Sequence, residues 1–303
     1  MSPSPSTLTR WRRALGRLRR VYAERHRVDE WMLSGNYAFL KFAGPGHFYS
    51  PLPDLATVRA TTAAAGGFDE LAGIRCDVAA MLALTRTFAA HRVALPVPAR
   101  AGAAPRFHPD NPYFSYGDAV IATCMLRTFT PARVIEVGSG FSSACMLDVA
   151  ERYLDGRVAF TFIEPWPERL MQLLTPADRA RCRIEQQPVQ ALPVSLFEAL
   201  GSGDVLFIDS SHVGKFGSDV LHLLYHVLPR LAPGVLVHFH DVPWPFEYPR
   251  HWLEQGRAWN EAYLLRAFLQ YNDAFEIVYF NAYMEQCQRA AYAAALPLAV
   301  QQP

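Results

Sequence analysis

The chain has 303 residues, of which 51% are hydrophobic, 13% aromatic and 19% charged. This composition excludes intrinsic disorder for most of the chain and provides enough apolar surface for two domains, or for one large domain with an appendage. The formal net charge is only +1, which argues against a protein that binds polyanions with its whole surface.

The first thirty residues carry a charge that the overall balance conceals. They hold eight arginines against three carboxylates, a net charge of +5, whereas the remainder of the chain carries −4. Apolar residues such as Leu15 and Leu18 recur among the arginines at helical spacing, which predicts a basic amphipathic helical arm over residues 1–30. We expect this arm to pack on the rest of the chain or on another subunit of a homo-oligomer. Contact with anionic lipid or RNA remains the alternative.

The sequence carries no signature of a membrane protein or a secreted protein. It contains no run of about 18 apolar residues, so we expect no membrane span, and the arm lacks the apolar segment of a signal peptide. The five cysteines include no Cys-x-x-Cys pair, which argues against a disulfide framework and a cysteine zinc site. These features predict a reduced, cytoplasmic protein. Nucleic acid is not an expected partner, because aromatic residues and glycines are not interleaved with the basic residues.

A cap region precedes the regular part of the chain. Residues 31–60 are rich in aromatic residues, glycine and proline, and residues 69–95 have apolar residues at helical spacing. The proline- and alanine-rich stretch at 96–105 is the clearest boundary. We therefore predict three parts: the arm at 1–30, the cap at 31–105 and an α/β domain at 106–303.

From residue 113 onwards, helical patterns alternate with short apolar runs. This alternation predicts a Rossmann-like, doubly wound and mostly parallel sheet, whose ligands bind beyond the carboxyl ends of the strands. A closing antiparallel strand is uncertain, because the alanine-rich tail after the last predicted strand has no strand pattern. The predicted strands are Arg133–Val137, Val158–Ile163, Arg183–Glu185, Asp204–Ile208, Val235–Phe239 and Glu276–Phe280, and the predicted helices include 113–129, 146–153, 220–231 and 258–270.

The segment VIEVGSGFSS carries the strongest functional signal. A predicted buried strand reaches Glu136 and then turns through Gly138 and Gly140 into a helix. Glycine lets the backbone approach a ligand where a side chain would clash. The third glycine of the dinucleotide fingerprint is absent, which disfavours a nicotinamide-dependent dehydrogenase. Glu164 ends the next predicted strand, a position where a carboxylate can accept both hydroxyls of a ribose.

Four segments together resemble the class I S-adenosylmethionine-dependent methyltransferases: VIEVGSG, FIEP, DVLFIDSSH and GVLVHFHD. The resemblance covers residues 107–282 and, more narrowly, is to the bacterial O-methyltransferases that modify natural products and sugars. It implies that S-adenosyl-L-methionine is the cofactor, that the glycine turn lines its methionine part and that Glu164 binds its ribose. Trp166 is expected to cover the adenine. The expected cofactor-binding residues are Glu136, Gly138, Ser139, Gly140, Ser142, Ser143, Glu164, Trp166 and Asp209.

Histidines and aspartates follow the fourth and fifth predicted strands. Asp209 and His212 come after the fourth strand, and His240 and Asp241 end the fifth. Neighbouring parallel strands end side by side, so we expect these four side chains to converge. Three interpretations remain open. Either histidine is a general base, assisted by the aspartates; the four residues bind a divalent metal such as Mg²⁺, Mn²⁺, Fe²⁺ or Zn²⁺; or the histidines only hold loops in place.

The predicted activity is methyl transfer to a small-molecule substrate, with oxygen the favoured acceptor and secondary metabolism the expected setting. Two other functions remain open: an enzyme that uses the cofactor for intramolecular displacement without methylation, and an RNA-binding modification factor led by the basic arm. Aromatic and polar residues outside the cofactor motifs are expected to shape the acceptor pocket. These candidates for substrate binding are Tyr49, Tyr113, Trp244, Tyr248 and Asn260.

Overall fold

The computed structural model describes residues 41–60, 71–97 and 104–301 of the chain. The chain divides into two compact units, Met1–Thr62 and Ala63–Pro303. The division after Thr62 differs from the boundaries at residues 30 and 105 that the composition favoured. The predicted arm at residues 1–30 lies outside the described residues. The proposed contacts of this arm with lipid or RNA therefore stay predictions.

In the first unit, the described residues form a loop that leads into helix α1 (Leu55–Ala60). Asp54 begins this helix, because its Oδ2 atom accepts hydrogen bonds from the backbone N–H of Thr57 at 2.8 Å and from the Thr57 hydroxyl at 3.1 Å. Within the loop, the rings of Phe48 and Tyr49 lie 4.2 Å apart. Tyr49, one of the predicted substrate-binding residues, is exposed.

The described part of the second unit contains five parallel strands: β1 (Arg133–Val137), β2 (Ala159–Ile163), β3 (Arg183–Glu185), β4 (Val205–Ile208) and β5 (Leu236–Phe239). Their order in the sheet is β3-β2-β1-β4-β5. Strand β1 lies in the centre, between β2 and β4. The order of the strands reverses at β1, which is where such sheets bind their ligands. The predicted Rossmann-like parallel sheet is thereby confirmed.

Helices alternate with these strands. Helices α2 (Val78–Ala90) and α3 (Tyr116–Phe129) precede β1, and the later ones are α4 (Phe141–Tyr153), α5 (Glu168–Leu173), α6 (Pro176–Arg181), α7 (Ser195–Glu198), α8 (Asp219–His222), α9 (Arg250–Glu254), α10 (Glu261–Leu269), α11 (Asn281–Cys287) and α12 (Arg289–Ala295). A π-helical turn (Leu223–Val227) and a 3₁₀ turn (Leu228–Arg230) extend α8. Among the helices in the described ranges, none has both the length and the apolar character needed to cross a bilayer.

Both faces of the central strands are buried, which explains why they read as continuous apolar runs. In β1, Val134 belongs to one hydrophobic cluster, together with Leu147 of α4. Ile135 and Val137 point to the opposite face and join a second cluster, which includes Phe197 of α7. The helices therefore cover the sheet on both sides and leave the carboxyl ends of the strands as the edge where polar groups collect.

Arg106 ties the segment before α3 to two helices. Its guanidinium forms ion pairs with Asp148 of α4 and Asp178 of α6, both at 2.7 Å. Asp148 also accepts the backbone N–H groups of Arg106 and Phe107. Burial by itself raises the pKa of Asp178, but hydrogen bonds from Arg106 and Thr175 outweigh burial and hold that pKa well below its ordinary value. These paired charges hold the segment around Arg106 against helices α4 and α6.

The predicted sixth strand at Glu276–Phe280 is not formed. A single parallel bridge joins Ile277 to Cys76, and a cavity of about 1170 Å³ lies between this segment and β5. The apolar residues of the segment pack on α2 instead. The hydroxyl groups of Tyr279 and Thr85 lie 3.1 Å apart, and the backbone N–H of Phe280 donates to the sulfur of Met81. A short apolar run predicts that its side chains are buried, but it does not predict whether a strand or a helix covers them.

Candidate functional site

The glycine turn after β1 is shaped by a close approach of two backbones. Gly138 has a left-handed backbone with φ of +79°, and a Cβ atom at this position would overlap the carbonyl oxygen of Asp209. The backbone N–H of Gly138 donates to the carbonyl of Ile163 at 2.9 Å, and that of Asp209 donates to the carbonyl of Val137 at 2.8 Å. Only glycine satisfies both the dihedral angle and the contact. The turn thus brings the ends of β1, β2 and β4 together.

Glu136 lies beneath the turn and is fully buried. Its two carboxylate oxygens accept hydrogen bonds from the hydroxyl groups of Ser142, at 2.5 Å, and of Ser143. Burial raises the pKa of Glu136 to about 8, against the opposing effect of these two serine hydrogen bonds. The Ser143 hydroxyl also accepts the backbone N–H of Gly140 at 2.9 Å. These three predicted cofactor-binding residues therefore hold the turn in shape from below, and we assign them a positioning role.

Glu164 follows β2 and faces the turn. One carboxylate oxygen accepts the backbone N–H of Ser139 at 3.1 Å, and the other accepts that of Trp166 at 2.9 Å. Each oxygen retains a further lone pair. The side chain of Trp166 is 76% exposed, so its indole face is open to a flat ligand beside the carboxylate. This arrangement fits the ribose and adenine of a nucleoside cofactor.

His212 lies between two carboxylates. Its Nδ1 atom is 2.9 Å from Oε2 of Glu261 and its Nε2 atom is 3.4 Å from Oδ1 of Asp209. Burial disfavours the charged imidazolium, but the hydrogen bonds to Asp209 and Glu261 outweigh it and raise the pKa of His212 to about 10. The hydroxyl of Ser210 donates to the second oxygen of Glu261 at 2.8 Å. His212 is therefore a cation at neutral pH, with both of its nitrogens already engaged.

His240 is buried at the end of β5, in a negatively charged setting. Burial lowers the pKa of His240, but the charges of Asp209, Asp118 and Asp241 outweigh it and raise that pKa above its ordinary value. Its Nε2 atom lies 3.8 Å from Oδ1 of Asp241, a distance too long for a hydrogen bond. The imidazole therefore keeps a nitrogen that no described side chain holds in a close hydrogen bond. The neighbouring His238 stacks on Phe207, and burial lowers its pKa to about 3, so it is neutral.

The structure does not support the predicted metal site. Among the residues it describes, no group of three or more histidine, cysteine, aspartate or glutamate side chains is placed to hold a metal ion. Asp209, His212, His240 and Asp241 do lie at the same edge of the sheet, as predicted. However, the nitrogens of His212 face the carboxylates of Asp209 and Glu261, and an imidazole binds a metal only through a free lone pair.

Three of the predicted substrate-binding residues make contacts within the fold. Trp244 is buried against the rings of Phe280 and Tyr283. The side-chain oxygen and nitrogen of Asn260 bond to the backbone N–H and carbonyl of Gly214, which docks the loop after β4 onto α10. Tyr248 is buried, and its hydroxyl accepts a hydrogen bond from the backbone N–H of Ala262 in α10 at 3.0 Å. Their polar and aromatic character made them candidates, but sequence alone does not show that the polar atoms of Asn260 and Tyr248 bond to the backbone or that the Trp244 ring is buried.

Of the other two candidates, Tyr113 lies at the glycine turn and Tyr49 belongs to the first unit. The ring of Tyr113 stacks on that of Phe141, with centroids 6.1 Å apart, and is exposed. Tyr113 is therefore an exposed residue next to the glycine turn, and its role in substrate binding stays a prediction.

Two residues of the site were missed in the sequence. Asp118 is in the first turn of α3 and accepts the backbone N–H of Ser115 at 3.3 Å; burial raises its pKa. Glu261 is in the first turn of α10 and is almost fully buried. Asp118 has the sequence signature of a capping box, Ser-x-x-Asp, and Glu261 has that of an acidic residue in a first helical turn. Each signature predicts a helix start, but it does not reveal that the carboxylate also faces a histidine from another element.

Comparison with known proteins finds a family model that matches the strand-end region of the second unit. Residues 135–242 match the family model of a methyltransferase domain. The matched range holds the glycine turn, Glu164, Asp209, His212 and His240, and it supports a class I S-adenosylmethionine-dependent methyltransferase. An uncharacterized protein from Archaeoglobus fulgidus is 27% identical over 165 residues, which cover 53% of this chain and 74% of that protein. No solved structure matches the chain.

We expect Gly138→Ala to destabilise the protein far more than Gly217→Ala. Both glycines have a left-handed backbone, but a Cβ atom at Gly217 meets nothing within 4 Å, whereas one at Gly138 overlaps a backbone carbonyl. The left-handed angle alone costs about 1 kcal/mol in either variant, and the overlap adds roughly 2 kcal/mol at Gly138. Urea unfolding of the two variants measures the difference, and equal losses of stability would contradict the close approach.

We expect Glu261→Gln to lower the pKa of His212 well below the wild-type value of about 10, because the variant removes the negative charge at Nδ1. Titration by NMR of the imidazole measures this change. A raised pKa in the folded state stabilises the protein fully below the unfolded pKa of about 6.5, and this stabilisation is lost as pH rises towards 10. The stability lost by the wild type over that range should therefore shrink in the variant. Glu285→Gln removes an exposed carboxylate paired with Arg289 and should change neither quantity.

Proposed function

We propose that this protein transfers a methyl group from S-adenosyl-L-methionine to a hydroxyl oxygen of a small molecule, with His240 as the general base. The observation that carries the proposal is the carboxylate of Glu164, which accepts hydrogen bonds from the glycine turn and from the backbone N–H of Trp166, a residue whose side chain is exposed. The match of the surrounding residues to a methyltransferase domain supports the same conclusion.

Glu164 and Trp166 are the residues proposed to bind the adenosine part of the cofactor. The lone pairs of Glu164 that the backbone leaves free accept the two ribose hydroxyls, and the indole of Trp166 covers the adenine. When bound, S-adenosyl-L-methionine supplies an electrophilic methyl group on a positively charged sulfur. Asp209 places a carboxylate at the same edge of the sheet, and although burial raises its pKa, His212 and His240 hold that pKa below its ordinary value. Asp209 therefore stays ionised and favours a cationic ligand.

The electrostatics of the two histidines favour His240 over His212 as the base. His212 is protonated throughout the neutral range and has both nitrogens engaged, so it does not accept a proton from an acceptor. It serves instead to hold the carboxylate of Asp209. Among the described residues, no side-chain oxygen lies as close to a nitrogen of His240, and the surrounding aspartates stabilise the imidazolium that it becomes when it takes a proton. Asp118 and Asp241 are positioning residues for this step.

A hydroxyl acceptor fits a site of this kind, because an alcohol or phenol must lose its proton as its oxygen attacks. A base in a buried position is effective for this transfer, since water does not compete for the proton. The ring of Phe114 lies 5.5 Å from the ring of His240 and offers an apolar surface beside the base. The chain's own contribution is thus to orient the acceptor, exclude water and remove one proton.

Titration calorimetry with S-adenosyl-L-methionine tests the cofactor assignment. We expect the wild type to bind and Glu164→Gln to bind roughly tenfold more weakly or worse, because each lost hydrogen bond to a charged group costs about 1.5–3 kcal/mol. Glu168→Gln removes an exposed charge at the start of α5 and should bind as the wild type does. Absence of binding by the wild type, or equal affinity of the wild type and Glu164→Gln, would contradict the proposal.

The choice of base is tested by radiolabelled methyl transfer to a panel of phenols, catechols, sugars and amines. On a hydroxyl acceptor found in this panel, we expect His240→Gln to lower kcat roughly 10²- to 10⁴-fold with little change in cofactor affinity. The wild-type rate should rise with pH through the raised pKa of His240, because only the neutral imidazole accepts a proton. Exposed His226→Gln should keep the wild-type profile. An unchanged kcat in His240→Gln, or transfer to amines alone, would overturn the assignment.

A further inference from the structure

Arg169 is a charged residue at the glycine turn that has no function in the site as described so far. It lies in the first turn of α5, where its guanidinium carbon is 4.0 Å from the centre of the Tyr113 ring. Tyr113 in turn stacks on Phe141, the first residue of α4. A guanidinium held flat on an aromatic face loses less conformational freedom when it binds a ligand. The stack therefore keeps Arg169 beside the turn without using its N–H donors.

The donors of Arg169 have no carboxylate partner in the described ranges, unlike those of several other arginines in the second unit. Arg106 pairs with Asp148 and Asp178, and Arg183 pairs with Glu185. No ion pair or hydrogen bond of this kind engages Arg169 among the residues that the structure describes. As far as the described ranges show, its cationic group is thus open to the anionic group of a ligand.

The stem of Arg169 lies directly against the second glycine of the turn. A Cβ atom at Gly140 would come within 3.2 Å of the Cδ atom of Arg169, so the absence of a side chain at Gly140 makes room for the arginine. Gly140 also precedes the thirteen-residue helix α4, whose N-terminal end carries partial positive charge. Two independent features, a guanidinium and a helix dipole, therefore favour an anion at the same place.

Arg169 differs in charge or in partners from the other ionisable groups near the turn. Glu164 and Asp209 are carboxylates that would repel an anion, and His212 is already shared between two carboxylates. A ligand that places its nucleoside at Glu164 and also carries a carboxylate would find a counter-charge at Arg169, whose stem lies against Gly140 of the same turn.

We propose that Arg169 binds the α-carboxylate of the amino-acid part of the cofactor, and that Tyr113 is the positioning residue that orients the guanidinium. The inference rests on the proposed function, since it assumes that the nucleoside binds at Glu164. A planar guanidinium matches a carboxylate with two parallel hydrogen bonds. Arg169 would then select amino-acid-bearing nucleosides over those that lack the amino acid.

The test compares two ligands that share the adenosine thioether but differ in the amino acid. S-adenosylhomocysteine has the α-carboxylate, and 5′-methylthioadenosine lacks it. We expect Arg169→Gln to weaken binding of S-adenosylhomocysteine about tenfold or more by calorimetry and to change that of 5′-methylthioadenosine less than about twofold. Arg169→Lys should restore part of the affinity, because it keeps the charge but not the two-pronged geometry.

Arg183→Gln is the matched control, because Arg183 is also exposed but already pairs with Glu185, and it should bind both ligands as the wild type does. Unchanged affinity of Arg169→Gln for S-adenosylhomocysteine would overturn this inference alone and leave the proposed function in place. So would an equal loss for both ligands, which would show a general distortion of the turn. Failure of the wild type to bind either ligand would overturn the proposed function and this inference with it.

Discussion

The contact between Gly138 and the carbonyl of Asp209 is the constraint on which the strand-end site depends. It requires a residue without a Cβ atom, and the two backbone hydrogen bonds beside it, from Gly138 to Ile163 and from Asp209 to Val137, join the ends of β2, β1 and β4. Because these ends meet, Glu164 and Asp209 flank one turn although they lie far apart in the chain. The buried hydrogen bonds of Glu136 then hold the turn in the shape that this contact requires.

Charge compensation organises the other half of the site. Asp209 and Glu261 enclose His212, while Asp118, Asp209 and Asp241 surround His240. Carboxylates at these positions would be costly to bury without cationic partners, and the imidazolium of His212 supplies one permanently. His240 is the histidine of the two whose protonation state can change near neutral pH. The sequence places both histidines at strand ends and does not distinguish them. Left-handed backbone at both His212 and Asp241 shows that the loops hold strained angles where the strands end.

The second unit departs from a simple alternation of strands and helices after β5. The segment that reads as a sixth strand lies across a cavity from β5 and packs on α2, while α12 and α2 pack on each other. The side chains of this apolar run therefore pack against helices instead of a neighbouring strand. The same local pattern is compatible with either outcome, because burial depends on which element covers the segment.

The parallel sheet, the glycine turn and the approach of Glu164, Asp209, His212 and His240 to one sheet edge are predictable from the sequence, because apolar runs that alternate with helical patterns are local features and parallel strands end on the same edge. The partners of these side chains are not predictable in the same way, because they come from elements that meet only in the folded chain. Glu261 and Asp118 come from helix starts that are distant in the chain, and Asn260, Tyr248 and Trp244 have their side chains engaged in the fold. The charge state of His212 likewise depends on a partner 49 residues away. Long-range pairing of this kind leaves no local pattern, because it arises only when separate elements are packed together.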